Sequence, residues 1–116
     1  MTINEIFEKL SILNIKKKRS LEENYLELVF YKKDIKAWGK LLMEIMGPAI
    51  KPYLKRPSRE HDKLTKPYGG IRSDQTLYKK VFDKYVLIAM IWPWGDRQHM
   101  TLKMPLIYDE NYLDEN

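Results

Sequence analysis

Apolar residues recur at spacings of three and four near the start of the chain: Ile3, Ile6, Phe7, Leu10 and Leu13. That period places them on one stripe and predicts an amphipathic helix over residues 3 to 15. Thr2 and Glu5 have the spacing of a capping box at its start. The cations Lys16, Lys17, Lys18 and Arg19 are read as its end, because they suit the partial negative charge of a helix C-terminus. The aromatic and aliphatic run at 25–31 predicts a strand. Leu26, Leu28 and Phe30 share one of its faces; Tyr25, Glu27, Val29 and Tyr31 share the other. Asp34 is placed to cap a second helix, in which Ile35, Trp38, Leu41, Leu42 and Ile45 recur with helical period and which Gly47-Pro48 ends.

The pattern then loses its period. Residues 48–72 hold four of the six prolines, the Gly69-Gly70 pair, and seven bases against two acids. They read as a long basic loop; a loop of that length is usually functional, disordered, or conceals a short element. Leu77, Tyr78, Val81, Phe82 and Tyr85 fit a helical face and equally a strand turning at Asp83-Lys84. The strand is preferred, because the long apolar run that follows needs neighbours.

Residues 85–92 are continuously apolar, as in a central strand. Gly95-Asp96 reads as a two-residue turn with glycine first, and Met100, Leu102, Met104 and Leu106 alternate with His99, Thr101 and Lys103 behind it. Such a turn pairs Trp94 with Arg97, Trp92 with His99, Met90 with Thr101 and Ile88 with Lys103. Tyr85, Leu87, Ala89 and Ile91 then join the even-numbered residues of the second strand in a uniformly apolar core face. The opposite face, with Val86, Ile88, Met90 and Trp92 beside His99, Thr101 and Lys103, is half polar. Cover by a helix or by the 48–72 segment is the plainer account of it; a groove or partner surface is the sharper one.

These elements predict an α+β fold: two helices packed on one face of a mostly antiparallel sheet of about four strands, ending in a β-hairpin. Residues 1–108 are expected to form a single domain, with 109–116 as an acidic, disordered tail. The 116 residues are 44% hydrophobic and include no cysteine, which removes disulfides, thiolate nucleophiles and cysteine-based metal sites. The longest charge-free run, 85–95, is far short of a membrane span, and acidic residues interrupt the first apolar stripe, so a cytoplasmic location without membrane contact is expected. The net charge is +5; because 109–116 hold four of the 16 acids and none of the 21 bases, residues 1–108 carry +9. That charge points to anionic partners.

Four constellations combine residues capable of chemistry. Lys51, Lys55, Arg56, Arg59, Lys63, Lys66 and Arg72, with Tyr53 and Tyr68 among them, combine cations for phosphates with rings for bases, as in single-strand binding. The plain alternative is a solvated loop. The stretch from Lys66 to Ser73, with Gly69 and Gly70, offers backbone N–H groups to an anion but fits no phosphate-loop or dinucleotide fingerprint, and a flexible turn explains it. Glu60, His61 and Asp62 are adjacent, and adjacent residues rarely converge on one ion, so no metal or cofactor is assigned. Trp92, Trp94, Asp96, Arg97 and His99 crowd the hairpin tip, where packing ranks first, partner contact second, and an Asp96–His99 acid–base pair third. No nucleophile motif is present and no catalytic residue is assigned.

The leading expectation for function is a small non-enzymatic interaction or ligand-binding module, with self-association as a homodimer, whose partner face is Ile88, Met90, Trp92, Trp94 and His99. The first rival is a nucleic-acid-binding protein using Lys55, Arg56, Arg59, Lys63, Lys66 and Arg72. The second is a small enzyme with an acid/base or metal site.

Overall fold

A computed structural model describes residues 1–108; the expected acidic tail at 109–116 lies outside them. The element order is α1 (Ile3–Leu10), β1 (Lys17–Glu22), β2 (Tyr25–Tyr31), α2 (Ile35–Met46), α3 (Arg59–Thr65), β3 (Thr76–Val81), β4 (Val86–Pro93) and β5 (His99–Ile107). The five strands form one sheet in the order β1-β2-β5-β4-β3, and every neighbouring pair is antiparallel. The α+β class holds, with three α-helices and five strands among the described residues in place of two and about four.

α1 starts where the sequence places it: Thr2 Oγ1 accepts the Glu5 N–H at 3.1 Å. It stops at Leu10, because the Ser11 N–H and hydroxyl both bond back to the Phe7 carbonyl and close the last turn. Leu13 and Ile15 still pack on the core from the connecting turn. The cation run is thus not a helix end. Lys17, Lys18 and Arg19 lie in edge strand β1, where charged side chains discourage pairing with another chain. β1 also carries a register shift between Lys18 and Ser20, which bends that edge.

One face of the sheet holds the main core. Leu26, Leu28 and Phe30 of β2 join Leu87, Ala89 and Ile91 of β4 and Met100, Leu102, Met104 and Leu106 of β5. Ile3, Ile6 and Leu10 of α1 and Trp38, Leu42, Ile45 and Met46 of α2 pack on them. Trp38 stacks on Phe30 with ring centroids 4.4 Å apart.

The hairpin register differs from the sequence expectation by two residues. Met90 pairs with Lys103, Trp92 with Thr101 and Pro93 with Met100. Residues 95–98 form a four-residue loop, closed by the Trp94 N–H on the His99 carbonyl at 3.0 Å and the Arg97 N–H on the Trp94 carbonyl at 3.3 Å. Gly95 does not supply the left-handed residue; Arg97 does, with φ 61°. A slip of two leaves every side chain on its original face, since faces alternate with period two. The sorting into core and second face therefore stands although the pairing does not.

The irregular segment conceals α3. Ser58 caps it reciprocally: Ser58 Oγ accepts the His61 N–H, and His61 Nδ1 accepts the Ser58 N–H, each at 3.1 Å. Leu64 and Ile71 then cover Leu77, Val86, Ile88 and Met90 in a second core, with Tyr68 and Trp92 at its margin. A Cβ at Gly69 would stand 2.5 Å from Trp92 Cη2, so only glycine lets the chain pass this close. α2 lies on one face and α3 on the other, and the chain reaches the second face by crossing the β3 edge. There Lys51 pairs with Leu77. Lys51 is buried, and its ammonium donates to the carbonyls of Pro52 at 2.8 Å, Ser73 at 3.0 Å and Gln75.

Candidate functional site

Cover by the 48–72 segment, the plainer account of the half-polar face, applies to its β3–β4 half. Ile88 and Met90 are fully buried there, so no partner reaches them in this fold. Trp92, Trp94 and His99 remain half-buried and reach the surface. On the β1–β2–β5 half, alternation along the strands places Tyr25, Glu27, Val29 and Tyr31 of β2 and His99, Thr101 and Lys103 of β5 on this side, with Val29 and Thr101 buried.

The structure brings a row of rings together here. Trp94 folds onto β5, with its indole N–H donating to Thr101 Oγ1 at 2.7 Å. The His99 ring lies 4.9 Å from the Trp94 ring and 5.4 Å from the Tyr31 ring. Cations border this row. The Arg19 guanidinium sits 5.2 Å from the Trp94 ring and 3.3 Å from Glu27 Oε2. The Lys16 and Lys33 ammoniums each stand 5.5 Å from the Tyr31 ring. Beyond Tyr31 a cleft of about 580 Å³ is lined by Tyr31, Lys32, Lys33, Arg97 and Gln98. Further along β5, Lys103 Nζ lies 3.6 Å over the Trp92 ring and 3.5 Å from the Tyr68 carbonyl. It borders a second cleft, of about 480 Å³, with Asn24, Tyr25, Pro67, Tyr68 and Gly69.

Asp96 and His99 do meet. Asp96 Oδ1 accepts the Gln98 N–H at 2.9 Å and the His99 N–H at 3.1 Å, and Oδ2 contacts His99 Nδ1. The Gln98 N–H, then the His99 ring, hold the Asp96 carboxyl below its usual range. The other ring nitrogen, Nε2, is buried without a hydrogen-bond partner. A general base must reach the proton it takes. This nitrogen is closed off, so the pair as arranged fixes the turn and the ring row.

The other constellations separate. Glu60 and Asp62 are exposed on α3 while His61 serves the cap. Among the described residues no group of three or more His, Cys, Asp or Glu side chains could hold a metal ion. Lys55, Arg56, Arg59, Lys63, Lys66 and Arg72 are all exposed on the outer side of the segment that covers the second core, with Arg72 3.6 Å from Asp74. Lys51 is withdrawn from that set by its burial. No helix is long and apolar enough to cross a membrane among the described residues.

Lys103 falls on the half-polar face read from the sequence, whereas Lys16, Arg19, Tyr31, Lys32 and Lys33 lie outside the site residues read there. Their signal was visible as two basic runs, 16–19 and 32–33, each near a strand with aromatic residues. Assigning the first run to a helix end concealed it. Comparisons with protein-family models, with curated proteins and with solved structures give no match, so the functional reading rests on this geometry alone.

Proposed function

We propose that the chain is a non-enzymatic binding module whose ligand is single-stranded nucleic acid, laid across the β1–β2–β5 half of the second sheet face. The observation that carries this is the row Trp94–His99–Tyr31 with Arg19, Lys16 and Lys33 set against its rings. Ring faces accept unpaired bases of any sequence, and flanking cations take the phosphates. The +9 charge of residues 1–108 supports the reading through long-range attraction. From His99 to Lys103 the face runs roughly 13 Å along β5, which suits a short run of nucleotides. The exposed bases from Lys55 to Arg72 lie on the neighbouring half and would extend the electrostatic footprint.

The test is a titration of tryptophan fluorescence with single- and double-stranded oligonucleotides at two salt concentrations. Trp38 is buried in the main core, so the response reports Trp92 and Trp94. Contacts to three or four phosphates imply a roughly 18- to 50-fold weakening between about 50 and 200 mM salt. Preference for the single strand, and its reduction in Arg19→Ala and Lys33→Ala, is the expected result. No binding at low salt, or equal binding by duplex, sinks the reading.

A further inference from the structure

The cleft beyond Tyr31 differs from the rest of the face. Lys32, Lys33 and Arg97 converge on it, and Lys16 stands at the Tyr31 rim. Among the described residues none of these four cations is in an ion pair with a carboxylate. The nearest acid in the hairpin loop, Asp96, is committed to the Gln98 and His99 N–H groups and the His99 ring. The loop also holds Arg97 at φ 61°, a conformation that glycine or asparagine adopts at less cost. Gly95, two residues earlier, is not the residue at positive φ. The loop thus carries an arginine at the one position where its backbone favours another residue, and that arginine lines the cleft. The cleft also ends the ring row: the Lys32 N–H bonds the Gln98 carbonyl at 2.9 Å and ties the two chain segments together there.

We infer that this cleft is a subsite for a phosphate monoester, the terminal phosphate of the bound strand. The inference rests on the nucleic-acid reading and sharpens it. A phosphodiester inside a strand carries one negative charge. A terminal monoester carries close to two at neutral pH, with three acceptor oxygens. Three or four unpaired cations around one cleft repel one another, and a dianion relieves that repulsion more than a monoanion does. Arginine adds a planar fork that bonds two phosphate oxygens at once.

The experiment compares short oligothymidylates carrying a 5′-phosphate, a 3′-phosphate or neither, with wild-type chain, Arg97→Gly and Lys33→Gln. One phosphorylated form is expected to bind about tenfold tighter than the unphosphorylated one, the effect of a strong charge-assisted contact. Arg97→Gly should erase that advantage, weakening the phosphorylated form more than the unphosphorylated one, and keep or raise the melting temperature, since glycine tolerates the positive φ. Lys33→Gln should reduce the advantage in part. Equal binding of the three oligonucleotides, or an advantage that survives Arg97→Gly, overturns the subsite and leaves the nucleic-acid reading standing. If no oligonucleotide binds, that reading falls, and inorganic phosphate and thymidine monophosphate then decide the subsite. Saturable binding that disappears in Arg97→Gly retains it as a site for free phosphate esters; no binding overturns it.

Discussion

At the scale of the residue, Lys51 shows how far a sequence pattern can mislead. It stands in a basic run and reads as a surface cation, yet it is 1% exposed. Burial pushes its ammonium below the usual lysine range, while three backbone carbonyls favour the charged form. The Lys51→Met variant is expected to lose about 2–3 kcal/mol of stability, measured by urea unfolding. The figure is moderate because the Pro52 and Ser73 carbonyls keep other partners, the Lys55 and Leu54 N–H groups. A loss under about 0.5 kcal/mol would show that the ammonium is dispensable to the chain crossing. Nothing in the run of lysines and arginines marks Lys51 as different. Its burial follows from the Leu77 bridge, which pulls its backbone against β3.

Among the elements, α3 and β1 are the two that local sequence pattern does not reveal, for different reasons. α3 is short and presents only Leu64 and Thr65 as buried residues, too few for a period to register. Its capping box uses His61 where glutamate or glutamine is usual, so the start signal was also unfamiliar. Ser58→Ala removes that cap and is expected to cost about 1 kcal/mol. Hydrogen exchange should show the loss locally: faster exchange in residues 59–65 with the protection of β4 and β5 unchanged. Uniform acceleration across the sheet would mean that α3 is integral to the global fold and not a separately opening cover. β1 was hidden by an overlap of rules, because cations are favoured both at helix C-termini and on edge strands. The hairpin tip failed on loop length: Gly95 suggested a two-residue turn, whereas the Asp96 carboxylate organises four residues through the Gln98 and His99 N–H groups.

At the scale of the whole molecule, the tyrosines set a pH dependence. Burial raises Tyr25, Tyr68, Tyr78 and Tyr85 above the usual tyrosine range, with the Glu27 bond adding to burial at Tyr25. For a group raised in the folded state, the native form binds more protons than the unfolded form once the unfolded group begins to ionise. Stability from these four is therefore full below about pH 10 and falls as pH rises beyond it. Lys51, lowered in the fold, acts in the opposite sense over the alkaline range. Four groups against one give a net decline, which urea unfolding at pH 8, 10 and 11 should show. Tyr25→Phe, which removes the most strongly raised of the four hydroxyls, should make it shallower. A stability that holds or rises between pH 8 and 11 would contradict the tyrosine assignment.

The sequence by itself determined what depends on neighbours along the chain: the start of α1, the extent of α2, the strands β2, β4 and β5, and the assignment of side chains to two sheet faces. Those follow from periods of 3.6 and two, and the face assignment survived a wrong register because the slip was even. Tertiary structure alone decided which face each connection covers. The crossing at Lys51 sends the 59–72 segment over Ile88 and Met90 and leaves Tyr31, Trp94 and His99 at the surface. Lys16, Arg19, Lys33 and Arg97 meet around those rings only because β1, the end of β2 and the hairpin tip converge in space. Residues so distant in sequence are joined by packing across the sheet, and no local pattern carries that information.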